Sequence, residues 1–559
     1  MTVRYVPDCG VPEMMSWLRG KHDWLCLDLE TTGLNPWKDT IRLVSIGDSD
    51  RAYAFPWDKD LTQMVIDRAP MTITNQNVKF DKQFLHVAGV DESKMIDDTK
   101  AMLHFIDSRV MSLKPAADMY LGDNSSDAQS DMKSIMKKNK WTWETIPVDT
   151  FEYWWYGGMD TILTSKLAAM HFPRIQSEYA ELYDMEIDVM LAFAQAERRG
   201  MRLDAPYCEQ QAETLRAHQR EVQAPYPFDL GGKKELTEAL ADRGIRAGRT
   251  AKGNPSITSD VLEPYRGDML VDDVLEFRRL DKLAGTYFEP WLNVVYKDGR
   301  VHPTVNTIGA RTGRMSSDNP NMQNVPKRKA GDALRRAFLP TEGHVFVAAD
   351  YAQIEYRLFA SAANEPAMIQ AFLDGQDMHR VTAEMALGRE VTDAERDLGK
   401  NGNFAEIYMA GIPKFARTAG ITIPQATDFR RRYHEAFPRV KPFTHAVMEY
   451  ARSNGFCVRT RFGRDIPVDH ETLYAAINYL IQGTAADILK RAILRLQATD
   501  WVTFLSLAVH DELIFDVPEE VAPDLVRDLP EIMEDRETFK VPITVETKTM
   551  RRWGSASSE

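Results

Sequence analysis

Short apolar runs bounded by polar residues recur in the last third of the chain, and they predict β-strands there. Two of these runs, 504–509 and 513–517, flank three polar residues and predict a hairpin with Asp511 at its tip. A third run, 345–349, ends at Asp350. Because a carboxylate between buried runs is costly to desolvate without a partner, we expect both aspartates to bind a cation.

A second set of acidic residues lies in the first third of the chain. Two apolar runs around a turn-rich segment predict two strands, and Asp28 and Glu30 lie two apart in the first, so their side chains share a face. Asp81 lies near the start of a helical pattern, and Tyr156 and Asp160 are spaced to share one helix face. Paired carboxylates suit a shared metal ion, although one such pair is ordinary surface in most sequences.

Helical patterns fill most of the remaining chain. A strongly amphipathic helix is predicted to begin at Tyr183 and to end at Gly200, and we expect a domain boundary just before it. An alanine-rich helix follows a polar entry that contains Asn478 and Gln482. The chain is therefore expected to combine helices and sheets in more than one domain.

One predicted helix has an unusual polar and aromatic stripe. It begins with a capping box at 392–395 and presents Arg396, Lys400, Phe404 and Tyr408 at every fourth position. Each step of four residues turns by about 40°, so the four side chains form one slowly winding stripe. Two cations followed by two aromatic rings suit a helix that binds a triphosphate near its start and stacks a base further along.

Composition limits the class of protein. With 559 residues, of which 44% are apolar, the chain has material for three or four domains and is not globally disordered. The four cysteines are scattered, which fits a reducing compartment rather than a disulfide framework. No secretion signal and no apolar run of membrane-spanning length is present. We therefore expect a cytoplasmic protein that has no membrane partner and acts as a monomer.

The net charge of −14 taken alone argues against a nucleic-acid partner. Residues 311–336, however, contain seven lysines and arginines against only two acids, Asp318 and Asp332. On charge alone this cluster is either a solvated loop or a surface for nucleic acid.

The acids of the first third resemble a known family. The ordered patterns D-x-E, N-x-x-x-D and Y-x-x-x-D resemble those of proofreading 3′→5′ exonucleases, and they are filled here by Asp28, Glu30, Asp81, Tyr156 and Asp160. The resemblance implies a ribonuclease H-like fold with helices around a mixed sheet. It also implies two divalent ions on Asp28, Glu30 and Asp160, which activate a water and stabilise the departing 3′ oxygen, with Tyr156 orienting the water.

Three later motifs resemble those of the polymerase I family (family A DNA polymerases). They are DYAQIE at 350–355, R-x-x-x-K-x-x-N-F-x-x-x-Y at 396–408 and VHDE at 509–512. The resemblance extends from about residue 20 to 550 and implies an α/β multidomain fold, in which the exonuclease precedes a right-hand polymerase with thumb, palm and fingers and an antiparallel palm sheet. The family's 5′ nuclease domain has no counterpart, so a phage or prophage replicative enzyme is expected.

The family resemblance also implies roles for individual residues. Asp350 and Asp511 are expected to hold two Mg²⁺ ions, with two more at the exonuclease site and Mn²⁺ as a substitute. The incoming dNTP is expected to contact Arg396, Lys400, Phe404, His379, Gln353 and Glu355, with Lys400 as proton donor to pyrophosphate. Primer–template DNA is expected to contact Arg314, Tyr408, Asn478, Gln482 and His510. Glu512 is expected to support the metal site without being an obligatory ligand.

The expected domains are an exonuclease at 1–182 and a polymerase at 183–559. Within the polymerase, 183–305 is mostly thumb, 306–362 and 460–559 are mostly palm, and 363–459 is mostly fingers. A processivity partner is not identifiable from the sequence.

Some positions depart from the family pattern. Ala405 and Met409 stand where the family usually has glycine, and Tyr474 stands where it often has arginine. Gly399 and Gly402 lie inside the stripe helix, where each costs ~1 kcal/mol relative to alanine, so we expect a softened fingers helix.

Two other classes of function stay open: a nuclease whose C-terminal part only binds nucleic acid, and a non-catalytic DNA scaffold. Reverse transcription also stays open. Primer extension on DNA and RNA templates distinguishes these readings.

Overall fold

A computed structural model of the chain describes residues 1–122, 126–249, 253, 255–327 and 330–555. The side chains of residues 126, 330 and 394 are outside this description. Two members of the basic cluster, Arg328 and Lys329, lie outside the described residues.

The N-terminal region is built on a mixed sheet, in the order β1-β4-β3-β2-β5-β6. Its strands are β1 (Thr2–Tyr5), β2 (Leu25–Thr31), β3 (Ile41–Gly47), β4 (Arg51–Pro56), β5 (Ile73–Asn75) and β6 (Met95–Asp98). Its helices are α1 (Val6–Cys9), α2 (Val11–Leu18), α3 (Lys59–Arg68), α4 (Val78–Val87), α5 (Thr99–Asp107), α6 (Leu113–Leu121), α7 (Ser126–Asn139) and α8 (Phe151–Arg174). The strand pairs β2–β3 and β3–β4 are antiparallel and the others are parallel, as the predicted mixed sheet requires.

A mainly helical region follows. A π-helical turn at Ile175–Tyr179 leads into its helices, α9 (Ala180–Arg199), α10 (Ala205–Gln223), α11 (Lys234–Asp242), α12 (Ser259–Leu262), α13 (Met269–Lys282) and α14 (Glu289–Val294). Short strands accompany them: β7 (Met201–Leu203), β8 (Gly248–Arg249), β9 (Pro255–Ser256), β10 (Arg300–Val301), β11 (Thr304–Asn306) and β12 (Ser316–Asp318). Helix α9 begins three residues before Tyr183, its predicted start. It stops before Gly200, as predicted, because the φ of 63° at this glycine breaks the helical path.

The C-terminal region contains a second sheet, in the order β17-β18-β14-β19. Its strands and the neighbouring short ones are β13 (Phe338–Leu339), β14 (His344–Tyr351), β15 (Cys457–Arg459), β16 (Asp465–Pro467), β17 (Leu505–Val509), β18 (Glu512–Pro518) and β19 (Val545–Met550). The helices are α15 (Ala330–Arg335), α16 (Ile354–Ala363), α17 (Pro366–Leu373), α18 (Met378–Leu387), α19 (Asp393–Ile407), α20 (Ile412–Ala419), α21 (Ile423–Ala436), α22 (Val440–Ser453), α23 (Ala475–Gln497) and α24 (Ala522–Met533). All pairs in the sheet are antiparallel, and the predicted hairpin is β17–β18.

The two glycines inside α19 have a packing role that the sequence did not reveal. A Cβ on Gly399 would lie 1.9 Å from the carbonyl oxygen of His379 in α18, and one on Gly402 would lie 2.3 Å from the ring of Phe429 in α21. The glycines therefore allow α19 to approach its neighbours more closely than any side chain permits. Each glycine costs ~1 kcal/mol of intrinsic helix stability, and this close packing offsets that cost. The glycines therefore have a packing role in addition to the softening of the helix that the sequence suggested.

None of the helices in the described part of the chain is long and apolar enough to cross a membrane. All four cysteines are free thiols.

Candidate active sites

The first candidate site lies at the end of the C-terminal sheet. Strands β14 and β18 pair so that Asp350 lies opposite Glu512, and the backbone N–H of Tyr351 donates to the carbonyl of Asp511 over 3.3 Å. His510, with φ of 59°, makes the tight turn that turns the chain back into β18. The hairpin therefore brings Asp511 beside Asp350, 161 residues away in sequence, as the apolar pattern predicted.

Basic side chains surround these acids. The ammonium of Lys327 lies 2.9 Å from Asp350 and 3.8 Å from Glu512, while Lys548 and Arg335 lie 3.1 and 3.9 Å from Glu512. Glu512 is fully buried, so these cations provide the compensation that its charge requires. Burial raises the pKa of Asp511 to about 6, with Asp350 adding to the effect and Arg314 opposing it.

The predicted triphosphate side of the site lies on α18 and α19. The observed capping box of Thr392 and Glu395 starts α19. Arg396 donates to Asp377 over 2.5 Å, and Asn403 lies 3.0 Å from Nδ1 of His379. Burial, reinforced by Arg396, lowers the pKa of His379 to about 4, so its imidazole is neutral at pH 7.

The aromatic end of the predicted stripe continues toward the start of α16, which follows β14 of the C-terminal sheet. The rings of Phe404 and Tyr408 stack with centroids 5.8 Å apart. The hydroxyl of Tyr408 donates to Glu355 over 3.1 Å, and Gln482 approaches the same hydroxyl at 3.4 Å. Glu355 also accepts from Arg314, so these predicted dNTP and DNA contacts meet in one polar chain.

Three further predicted contacts, Lys400, Gln353 and Asn478, lie on or beside helices α19, α16 and α23. Lys400 lies on α19 between Arg396 and Phe404. Gln353 precedes α16 in a left-handed conformation, and Oε1 of Gln353 and Oδ1 of Asn478 are buried without a hydrogen-bond partner among the described residues. Buried polar groups of this kind are unusual and are consistent with ligand-facing positions.

Much of the basic cluster is internally paired in this structure. Arg311 pairs with Asp469 at 2.8 Å, Arg314 with Glu355, and Lys327 with Asp350. Arg335 is 4% exposed and donates to backbone carbonyls as well as approaching Glu512. Of the two alternatives left open on charge alone, a solvated loop therefore does not describe Arg314, Lys327 and Arg335, whose side chains lie beside the acids of this site.

The second candidate site lies on the N-terminal sheet. Carboxylate oxygens of Asp28, Glu30 and Asp160 lie within 4.8 Å of one another. Burial raises the pKa of Asp28 to about 7 and raises the pKa of Glu30 well above its usual range, with Asp28 adding to the effect on Glu30. Asp81 also has a pKa raised by burial and by Asp28, and its Oδ1 has no partner among the described residues. Such a set of destabilised carboxylates is the donor environment that divalent cations require.

Close helix packing places two of the predicted residues there. A Cβ on Gly157 would lie 2.9 Å from Oγ of Ser45, and one on Gly158 would lie 2.2 Å from Val3. Helix α8 therefore rests directly on the sheet at this point, which brings the adjacent Asp160 and Tyr156 over Glu30.

Sequence reasoning missed three groups of side chains. Lys114, on α6, pairs with Asp160 and lies 4.7 Å from the ring centroid of Tyr156. Lys327 was counted only as one charge in the basic cluster of residues 311–336, and that cluster was the available signal. A buried ionic network joins α9 to α23 and consists of Glu186, Arg464, Asp487 and Lys490. Nothing in the local sequence around these residues indicated the network.

Residues 204–555 match the sequence profile of DNA polymerase family A. The chain is 31% identical over 548 residues to DNA polymerase I of Synechocystis sp., covering 89% of this chain and 55% of that protein. It is 28% identical to the DNA polymerase of Mycobacterium phage L5, covering 97% and 94% of the two chains. The chain thus spans about half the length of the cyanobacterial relative and nearly all of the phage relative.

The fold is similar to a solved structure described as the POL domain of Pol1 from M. smegmatis in complex with DNA primer-template and dNTP. The TM-score is 0.82 at 24% identity, with 99% of this chain and 100% of that chain covered. This likeness concerns the fold. From the profile match over more than half of its length, the chain belongs to DNA polymerase family A.

Proposed function

We propose that the protein is a DNA-templated DNA polymerase with a 3′→5′ proofreading exonuclease, and that the two activities use separate sites. The observation that supports this most is the presence of two clusters of carboxylates on two different sheets of one chain, Asp350 with Asp511 and Asp28 with Glu30 and Asp160. A nuclease with a passive C-terminal region has no need for the first cluster or for the stripe on α19.

The residues of both clusters fit Mg²⁺, with Mn²⁺ as a substitute, since oxygen-only donor sets suit hard divalent cations. We propose two ions per site, held by Asp350 and Asp511 in one and by Asp28, Glu30 and Asp160 in the other. When bound, such ions lower the pKa of the attacking oxygen and stabilise charge on the leaving oxygen.

In the polymerase site, we assign the dNTP to the face formed by α18 and α19. We propose that Arg396, Lys400 and His379, which lie on these two helices, hold the triphosphate and that Phe404 packs against the nucleoside. The primer 3′ hydroxyl loses its proton to solvent water as its oxygen attacks the α-phosphorus. The bond to the pyrophosphate oxygen breaks, and Lys400 supplies a proton to the departing pyrophosphate and regains one from solvent. Charge-assisted contacts to phosphate are worth about twice a neutral hydrogen bond.

The other predicted residues position the substrates. Glu355 is buried next to Arg314 and Tyr408, so it is suited to fill the space that a 2′ hydroxyl needs, while Gln353 lines the same edge. Asn478, Gln482 and His510 are assigned to the primer–template. Glu512 maintains the local charge balance.

In the exonuclease site, water attacks the terminal phosphodiester, the bond to the 3′ oxygen breaks, and the proton of the water ends on that oxygen. Tyr156 orients the water and Asp81 supports the inner carboxylates. The products are a nucleoside 5′-monophosphate and a strand shorter by one nucleotide.

The test is primer extension and primer degradation by the full chain with Mg²⁺ and all four dNTPs. Asp350→Ala is expected to abolish extension and leave degradation, and Asp28→Ala is expected to do the reverse. Loss of both activities in one variant that still folds contradicts the two-site proposal. Extension on matched DNA and RNA templates tests the reverse-transcriptase alternative.

We further propose a role in phage or prophage DNA replication in a bacterial cytoplasm. This is supported by the nearly full-length similarity to the phage L5 polymerase and to that of Mycobacterium phage D29, at 29% identity.

A further inference from the structure

Lys114 is an unexpected cation inside the carboxylate cluster of the N-terminal sheet. It lies in the first turn of α6, it is 7% exposed, and its ammonium pairs with Oδ1 of Asp160. Lysine is rarely buried unless it is paired, and here the partner is one of the three acids whose oxygens gather within 4.8 Å. The lysine therefore belongs to the site rather than to the surrounding surface.

Its charge also acts on Asp28, Glu30 and Tyr156 in this centre. The positive charge of Lys114 opposes the burial that raises the pKa of Asp28 and of Glu30. The ammonium also lies 4.7 Å from the ring centroid of Tyr156, within the range of a cation–π contact. Lys114 thus lies between the acid that would ligate an ion and the ring that would orient the water.

The charge balance suggests what this cation does. Two divalent ions would balance the acids Asp28, Glu30, Asp81 and Asp160 and would leave the charge of a phosphodiester unmatched. The single positive charge of Lys114 would balance the negative charge of that phosphodiester. In a buried site, such a charge is worth much more than on the surface.

We propose that Lys114 is a resident cation of the exonuclease centre: its ammonium balances Asp160 before substrate binds and pairs with the scissile phosphodiester once Asp160 ligates a divalent ion. This inference rests on the proposed exonuclease function. Lys114 forms no covalent bond and transfers no proton in this role. It stabilises the charge that grows on the phosphate oxygens as water attacks.

A purely structural lysine makes a different prediction. If Lys114 only stabilised the fold, its removal would weaken both metal binding and hydrolysis. If Lys114 competes with the ion for Asp160 and then serves the phosphate, its removal strengthens metal binding and slows hydrolysis.

The experiment uses the full chain carrying Asp350→Ala and Asp511→Ala, so that Mn²⁺ binding reports the remaining site. Lys114→Met is compared in this background with Lys114→Arg and with Lys82→Met. Lys82 is a suitable control because it is also buried and its ammonium donates to the backbone carbonyls of Glu92 and Met95. Mn²⁺ binding is measured by titration calorimetry, and hydrolysis of labelled single-stranded DNA is measured at saturating Mn²⁺.

We expect Lys114→Met to bind Mn²⁺ about tenfold more tightly and to hydrolyse DNA about 100-fold more slowly. Lys114→Arg is expected to recover most of the rate because it keeps the charge, and Lys82→Met to leave both quantities unchanged. Unchanged or weaker Mn²⁺ binding by Lys114→Met, or an unchanged rate, overturns the inference.

Failure of the underlying exonuclease proposal looks different. In that case the background protein itself degrades no DNA, and Asp28→Ala causes no loss of Mn²⁺ binding. A background protein that degrades DNA, combined with an unaffected Lys114→Met variant, refutes only the role of the lysine.

Discussion

Glu186 offers a test of the buried ionic network that joins α9 to α23. Its side chain is 1% exposed, and Oε1 accepts from Nη2 of Arg464 at 2.6 Å and from Nζ of Lys490 at 2.5 Å. Arg464 also donates to Asp487 at 2.7 Å. The network therefore contains two buried acids and two buried cations, so Glu186→Gln leaves one positive charge unbalanced without changing the shape of the side chain.

The expected cost is large because the surrounding charges stay buried. Removing one partner of a buried ion pair typically costs about 3–5 kcal/mol, and exposed substitutions usually cost less than about 0.5 kcal/mol. Burial opposes ionisation of Glu186, but Lys490 and Arg464 outweigh it and lower its pKa. A carboxyl with a lowered pKa stabilises the fold above its unfolded pKa, and this contribution disappears as pH falls through the folded value. The loss of unfolding free energy caused by Glu186→Gln is therefore expected at neutral pH. It is expected to disappear in acid, at pH values below the usual pKa of glutamate.

The assay is thermal and urea unfolding, followed at pH 7 and in acid, with Glu181→Gln on the exposed face of the same helix as control. Adding Lys490→Met to Glu186→Gln restores charge balance, so the double variant is expected to be about 2 kcal/mol more stable than the two single losses predict. Strictly additive losses, or a Glu186→Gln variant as stable as the Glu181→Gln control, refute the reasoning.

Three further predictions follow from the packing and the charges. Gly402→Ala is expected to lower the unfolding free energy by about 1–3 kcal/mol because its Cβ collides with Phe429, whereas Gly411→Ala, whose Cβ would meet only Pro413 at 3.8 Å, is expected to be nearly neutral in thermal unfolding. Primer–template affinity, measured by fluorescence anisotropy, is expected to fall by about 10³ between 50 and 200 mM salt if some six phosphates are contacted, and a flat dependence contradicts that contact mode. Mn²⁺ at 100 times its dissociation constant is expected to stabilise the native state by about 2.7 kcal/mol, a thermal shift that Asp28→Ala reduces if the exonuclease acids hold the ion.

The sequence was most informative where chemistry and local structure coincide. Asp350 was predictable because it directly follows an apolar run, and Asp511 because it lies in the short polar turn between two such runs. Alternation in β2 placed Asp28 and Glu30 on one face. Local patterns also predicted the hairpin, the capping box and the end of α9 at Gly200. The predicted limits of strands and helices differ from the observed limits by a few residues. For example, β17 begins at Leu505, one residue later than predicted.

Contacts between distant segments were not predictable. Lys114 meets Asp160 across 46 residues, and Arg464 meets Glu186 across 278. No periodicity encodes such distances, because they depend on how complete elements pack. For the same reason, Gly399 was interpreted through its helix propensity, although its partner lies on another helix.

The close contact of α18 and α19 has a consequence for nucleotide selection. The carbonyl of His379 lies directly against Gly399, and the side chains of Thr382 and His379 in α18 bond to Asn403 in α19. Because sliding would break these contacts, we expect the two helices to move as one unit if this region opens. His379, Arg396 and Phe404 would then reach a nucleotide simultaneously, so that phosphate and base are inspected in a single movement rather than in sequence.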